Sequence, residues 1–136
     1  MKCLDTTCLI DSIGDPDSVA EITRKLERKD TLATTTYNIF EAFFGAYAVK
    51  SASTKNKIIE KLEKFLEPIQ ILPFDLRDAI KAAEIGGTLR KKGKVVGADA
   101  ITAAIALNKG CDGIVSRNRS HFMEIEKATG LKLVEY

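Results

Sequence analysis

The sequence predicts an α/β fold: a three-layer α/β/α sandwich around a central, mostly parallel sheet of about five strands. Three observations predict it. Short apolar runs of strand length recur along the chain. Helical stretches separate them, which implies crossover connections and helices packed on both sheet faces. No internal repeat, low-complexity tract or linker interrupts the pattern, so the 136 residues read as a single domain over 1–136, long enough for a core without staples.

The elements follow in order. "KCL" is the first strand, closed by Asp5, and a helix begins near Thr7. In "DPDSVAEITRKLERK" Val19, Ile22 and Leu26 share a face, and Asp17 or Ser18 serves as the cap. "TLATTT" is the second strand. The helix "YNIFEAFFGAYAVK" places Ile39, Phe40, Phe43, Phe44 and Tyr47 mostly in the core. "STKNKIIEKLEKFLEP" carries Ile58, Ile59, Leu62, Phe65 and Leu66 on one stripe, with Pro68 beyond its end. "IQILPF" is the third strand, stopped by Pro73. Asp75 caps "LRDAIKAAEIGGTLRKKG", a helix expected to break or bend at Gly86–Gly87. "GADAITAAIALNKG" is a compact Ala-rich helix that Gly110 ends. "DGIVS", "SHFMEIEKATG" and "LKLVEY" give a fourth strand, a last helix and a fifth strand.

Composition narrows the function classes. With 45% apolar and 29% charged residues the chain is ordinary globular protein rather than disordered. No run approaches the roughly eighteen apolar residues of a membrane span. "MKCLD" puts an acid where the apolar core of a signal peptide should run, so a cytoplasmic location is expected. Cys3, Cys8 and Cys111 are odd in number and lie in apolar contexts, which predicts reduced, buried thiols. The lack of a C-x-x-C pair, with His121 the only histidine, argues against a zinc site, so any metal is expected to be held by oxygen. A net charge of +2 does not by itself imply a polyanionic partner. The cluster Arg90, Lys91, Lys92 and Lys94 is a solvated helix face or, alternatively, a contact for nucleic-acid phosphates.

In doubly wound folds, sites form where strands end at their carboxyl edge. Asp5 and Thr6 follow the first strand. Thr34, Thr35 and Thr36 follow the second and lead into a helix carrying Asn38 and Glu41 three residues apart, on one face. Asp99 opens the Ala-rich helix, and Ser116, Arg117 and Asn118 follow the fourth strand. Singly, Asp5 reads as a helix cap and Asp99 as an acid favoured by the helix dipole. Together, three poorly solvated acids at one rim repel unless a cation sits between them. Mg²⁺ or Mn²⁺ takes such oxygen ligands, and Asp5, Glu41 and Asp99 are its candidate ligands. No serine triad or glycine phosphate loop competes for the role, and His121 is expected to pack or to contact substrate near Phe122.

Four stretches also carry a resemblance: "LDTTCLID", "TTTYNIFEAFFG" around Glu41, "EIGGTLRKKGKVVGADAITAAIAL" around Asp99, and "GIVSRNRSHFMEI". In this order and over nearly the whole length, the chain resembles the PIN-domain nucleases, most closely the small toxin ribonucleases of VapBC-type toxin–antitoxin pairs. The resemblance implies a Mg²⁺- or Mn²⁺-dependent endoribonuclease acting on RNA, a homodimer, and a small antitoxin partner that covers the groove. Asp5, Glu41 and Asp99 match the family's three principal acids. Thr6 matches the hydroxyl after the first acid, and Asn38 a polar residue that orients the site. Ser116 matches a family Thr or Ser. Asn118 stands where many members have a fourth acid, so it is a weak or indirect ligand at most, and a second fully held ion is not expected. Two other readings stay open. One is an inactive PIN-like module that binds RNA or a protein partner. The other is a phosphotransfer fold of receiver or haloacid-dehalogenase type, against which stand Thr7 in place of a second acid and the absence of an N-terminal acidic pair.

Overall fold

The computed structural model describes all residues, 1–136. Along the chain run β1 (Lys2–Leu4), α1 (Thr6–Gly14), α2 (Pro16–Glu27), β2 (Leu32–Thr35), α3 (Thr36–Tyr47), α4 (Ala52–Leu66) and β3 (Gln70–Leu72). Then follow α5 (Leu76–Lys91), α6 (Asp99–Asn108), β4 (Gly113–Val115), α7 (Arg119–Thr129) and β5 (Lys132–Val134). The five strands form one sheet in the order β3-β2-β1-β4-β5, every pair parallel. The order reverses at β1, so the crevice between the ends of β1 and β4 is the switch point where such sheets place ligands.

Strand alternation sorts the core into two layers. Cys3, Ala33 and Ile114 turn toward one face, where they meet Ile85 and Leu89 of α5, Ala103 and Ala104 of α6, and Phe122 and Ile125 of α7. Leu4, Leu32 and Val115 turn to the other, against Cys8 and Leu9 of α1, Ala42 and Ala46 of α3, and Leu62 of α4. All three cysteines are free and buried, as expected. Asp75 caps α5 in a reciprocal capping box with Asp78, and Gly110, with φ +85°, takes the left-handed turn that ends α6.

Three local expectations need correction. The cap of α2 is Asp15, whose side chain accepts from the Ser18 N–H, and Pro16 takes the first helical turn. Asp17 and Ser18 therefore lie inside the helix. Helix α5 runs unbroken through Gly86 and Gly87. Gly86 faces α6, where an added Cβ would stand 3.7 Å from the Ala100 Cβ. Burial of Ala82, Ile85 and Leu89 along the same helix offsets the roughly 1 kcal/mol that each glycine costs. Finally, α3 turns only part of its stripe of large residues to the core, with Ile39 and Phe43 half-buried against it. Its buried face is Asn38, Ala42 and Ala46, while Phe40, Phe44 and Tyr47 are 58%, 67% and 64% exposed. Small residues let α3 approach α1 closely, and the large rings at i, i+4 and i+7 fall on the opposite side.

Candidate functional site

The switch-point crevice gathers the polar residues singled out from the sequence. Asp5 ends β1 and caps α1: its carboxylate accepts the Thr7 N–H, while its own N–H donates to the Val115 carbonyl at 3.1 Å. The Ser116 hydroxyl, just past β4, donates to the other Asp5 oxygen. Only 3% of Asp5 is exposed. Burial raises its carboxyl to about pH 6, helped by the negative charge of Asp99 and opposed by the Ser116 and Thr7 hydrogen bonds.

Asp99 enters at the first turn of α6, behind Gly97, whose φ of +53° aims the chain into the helix. Burial raises its carboxyl above the ordinary range, and the Glu41 charge adds to this, while His121 and Asn118 pull it back. Both of those neighbours converge on Asp99 Oδ2, His121 Nδ1 at 2.7 Å and Asn118 Nδ2 at 2.6 Å. An ionised Asp99 only accepts, so in that state both neighbours donate to it, and Asn118 Nδ2 also lies 3.1 Å from His121 Nδ1. Asn118 thus presents its amide nitrogen to the acid, and its oxygen accepts from Ser120 at 3.3 Å.

Glu41 is reached through a relay of hydroxyls and amides. Asn38, 1% exposed, donates from Nδ2 to Thr6 Oγ1 at 2.8 Å and to Thr102 Oγ1 at 2.9 Å, and accepts from Thr35 Oγ1 at 2.6 Å. Thr6 Oγ1 in turn donates to Glu41 Oε2 at 2.5 Å. With three partners for its buried amide, Asn38 has one orientation, and it fixes Thr6 and hence Glu41. Thr35 belongs to the rim the sequence outlines, but Thr102 and the His121–Asp99 contact do not. Thr102 stands one turn after Asp99 on the same helix face, a spacing that could have drawn attention to it. Tyr37 also joins the rim: after burial, Glu41 and Asp99 are the charges that push its hydroxyl up.

The structure therefore brings Asp5, Thr6, Asn38, Glu41, Asp99, Ser116 and Asn118 to one crevice. The cations Arg90, Lys91, Lys92 and Lys94 occupy the end of α5 and the loop leading to Asp99, all exposed. Lys94 Nζ lies 3.9 Å from Glu124, one turn beyond His121 on α7.

The donor set fits a hard cation. It is made of carboxylates, hydroxyls and amides, and burial and mutual repulsion hold the Asp5 and Asp99 carboxyls above their ordinary range. As the side chains stand, no three carboxylates, imidazoles or thiols are close enough to grip one ion. Each acid is instead held by a neighbour's hydrogen bond, with Asp99 Oδ1 and Glu41 Oε1 left unengaged.

Residues 2–128 match the model of the PIN domain, and the chain belongs to this family, whose members are generally nucleases that use divalent metal ions. No curated protein matches it in sequence. Among solved structures it is similar to VapBC2 from Rickettsia felis bound to a DNA fragment from its promoter, at TM-score 0.84 and 23% identity over 99% of this chain and 98% of that one. FitAcB from Neisseria gonorrhoeae follows at 0.80 and 24%, covering 98% and 96%. VapBC-5 from Mycobacterium tuberculosis, a member of the VapBC family of toxin–antitoxin systems, stands at 0.75 and 20%, covering 99% and 98%. These likenesses establish the PIN fold.

Proposed function

We propose that this chain is a Mg²⁺- or Mn²⁺-dependent endoribonuclease, hydrolysing RNA phosphodiester bonds as the toxin of a toxin–antitoxin pair. The observation that carries the reading is the convergence of Asp5 and Asp99, both held above the ordinary carboxylate range, with Glu41 from a third element. Family membership supports it. Asp5, Glu41 and Asp99 would hold the ion, which supplies charge neutralisation at the phosphate and an acidified water. Ser116 and Thr7 orient Asp5. Thr6, itself set by Asn38, orients Glu41. Asn118 and His121 hold Asp99, so the role of Asn118 toward the ion is indirect. Arg90, Lys91, Lys92 and Lys94 steer the RNA backbone toward the crevice.

The partners follow from two surfaces. Phe40, Phe44 and Tyr47 form an apolar stripe of the kind that pairs subunits, and a homodimer is the assembly it fits. Between α1, α3 and α4 lies an apolar groove lined by Ile10, Ile13, Ala46, Ile58 and Leu62, with Glu41 at its edge. A small antitoxin seated there would cover the acids, in keeping with the toxin–antitoxin complexes among the similar structures. No helix is long and apolar enough to cross a membrane, and the cytoplasm, where RNA is met, is the proposed location.

Incubating purified protein with labelled RNA tests the reading. Discrete fragments in Mg²⁺ or Mn²⁺, none with chelator, and none from Asp99→Asn are expected. RNA bound tightly but left uncut in every metal would point instead to a PIN-like binding module.

A further inference from the structure

Residues 116–118 face two ways. Ser116 and Asn118 turn into the acidic crevice, toward Asp5 and Asp99. Arg117, between them, turns to the far side and forks onto Asp11 of α1, with Nη2 2.7 Å from Oδ1 and Nε 2.6 Å from Oδ2. The Tyr136 hydroxyl donates to the same Asp11 Oδ2 at 2.7 Å. The Arg117 N–H donates to Thr7 Oγ1 at 3.2 Å, and that oxygen lies 3.4 Å from the Tyr136 hydroxyl. The Asp11 side chain is 8% exposed. Arg117, Asp11 and Tyr136 make no hydrogen bond to the acids of the crevice, and Thr7, whose N–H donates to Asp5, is the residue the two sets share.

A carboxylate buried this deeply is strongly destabilising unless charged and hydrogen-bonded partners surround it. Asp11 has both kinds, and the two-pronged guanidinium contact fixes orientation as well as distance. Its placement gives it a consequence beyond stability. Asp11 rides on the helix that Asp5 caps, while Arg117 belongs to the loop that supplies Ser116 to Asp5 and Asn118 to Asp99. The pair therefore ties together the two segments whose relative position decides how both acids are held.

We propose that Asp11, Arg117 and Tyr136 form a lock that positions the 116–118 loop, so that Ser116 and Asn118 keep Asp5 and Asp99 in register. Arg117 is a positioning residue and does not contact RNA. The catalytic consequence rests on the nuclease reading; the structural consequence does not.

Amide hydrogen exchange followed by NMR separates the two. The Asn118 N–H donates to Ser116 Oγ at 2.9 Å and the Arg117 N–H to Thr7 Oγ1, so both report directly on the loop. In Arg117→Met these two positions should exchange roughly tenfold faster or more, while the amides of β4 keep their wild-type rates. Tyr136→Phe, a milder change that keeps the fork, should move the same amides less. In RNA cleavage, Arg117→Met should lower kcat with KM unchanged, and should add little further loss in an Asn118→Ala background. Unchanged exchange at Arg117 and Asn118 would overturn the lock, and so would equal acceleration in β4, which means general destabilisation. A raised KM with a flatter salt dependence would make Arg117 a phosphate contact and also overturn it. If the wild-type protein cuts no RNA, the nuclease reading falls while the exchange rates still decide the lock.

Discussion

Replacing Asp5 by Asn should stabilise the metal-free protein at neutral pH, and the gain should vanish in acid. Asp5 is 3% exposed, and its carboxyl is raised from 3.8 to about 6, chiefly by burial. A carboxyl that holds its proton more tightly in the folded chain contributes its stability fully below pH 3.8. That contribution is lost as pH rises from 3.8 through about 6. The gap corresponds to about 3 kcal/mol at pH 7.5. Asn avoids this loss and keeps both neighbours, its oxygen accepting from the Thr7 N–H and its amide donating to Ser116 Oγ. Urea unfolding in chelator from pH 4 to 8 should show Asp5→Asn ahead by up to about 3 kcal/mol at pH 7.5, and by less than about 1 kcal/mol at pH 4. Mn²⁺ should close the neutral-pH gap by stabilising the wild type alone. A difference that stays constant with pH, or an Asn variant that is the weaker protein at pH 7.5, would refute the account of this site as electrostatically strained.

The other predictions concern the crevice's surroundings. Changing Arg90 and Lys91 together to Gln should weaken RNA binding and reduce the slope of log affinity against log salt by roughly 0.7 per lost phosphate contact; an unchanged slope makes the cluster a solvated helix end. Sedimentation at micromolar concentration should find a dimer that Phe44→Glu converts to monomer, and a wild-type monomer would remove the apolar stripe of α3 from the assembly. Asn118→Asp exchanges an N–H donor for a carboxylate 2.6 Å from Asp99 Oδ2, so it should tighten Mn²⁺ binding in a calorimetric titration. Equal affinity would leave Asn118 only the task of holding Asp99.

How far the sequence disclosed this molecule depends on the range of the interactions involved. Strand runs such as "KCL" and "GIV" and the cap at Asp75 are local, and each stands where its pattern predicts. The convergence of Asp5 and Ser116 was legible because parallel topology itself brings strand ends together. The outward face of α3 was not. Its rings and its alanines both satisfy helical spacing, and only the neighbouring α1 decides which face it accepts. The bend expected at Gly86–Gly87 failed for the same reason: a backbone preference worth about 1 kcal/mol yields to packing against α6. Asp11 and Tyr136 are 125 residues apart in sequence, and nothing near either marks them as partners. His121 stood out as the lone histidine, but its contact with Asp99 depends on the first turns of α6 and α7 meeting in space.

Asp5, Glu41 and Asp99 are proposed to share one divalent cation. Calorimetric titration of Mn²⁺ into the RNA-free wild type and into Asp5→Asn, Glu41→Gln and Asp99→Asn tests this directly. One site per chain in the wild type is predicted, with affinity lowered roughly tenfold or more in each variant. Wild-type affinity retained in all three variants would place the ion elsewhere and contradict the claim.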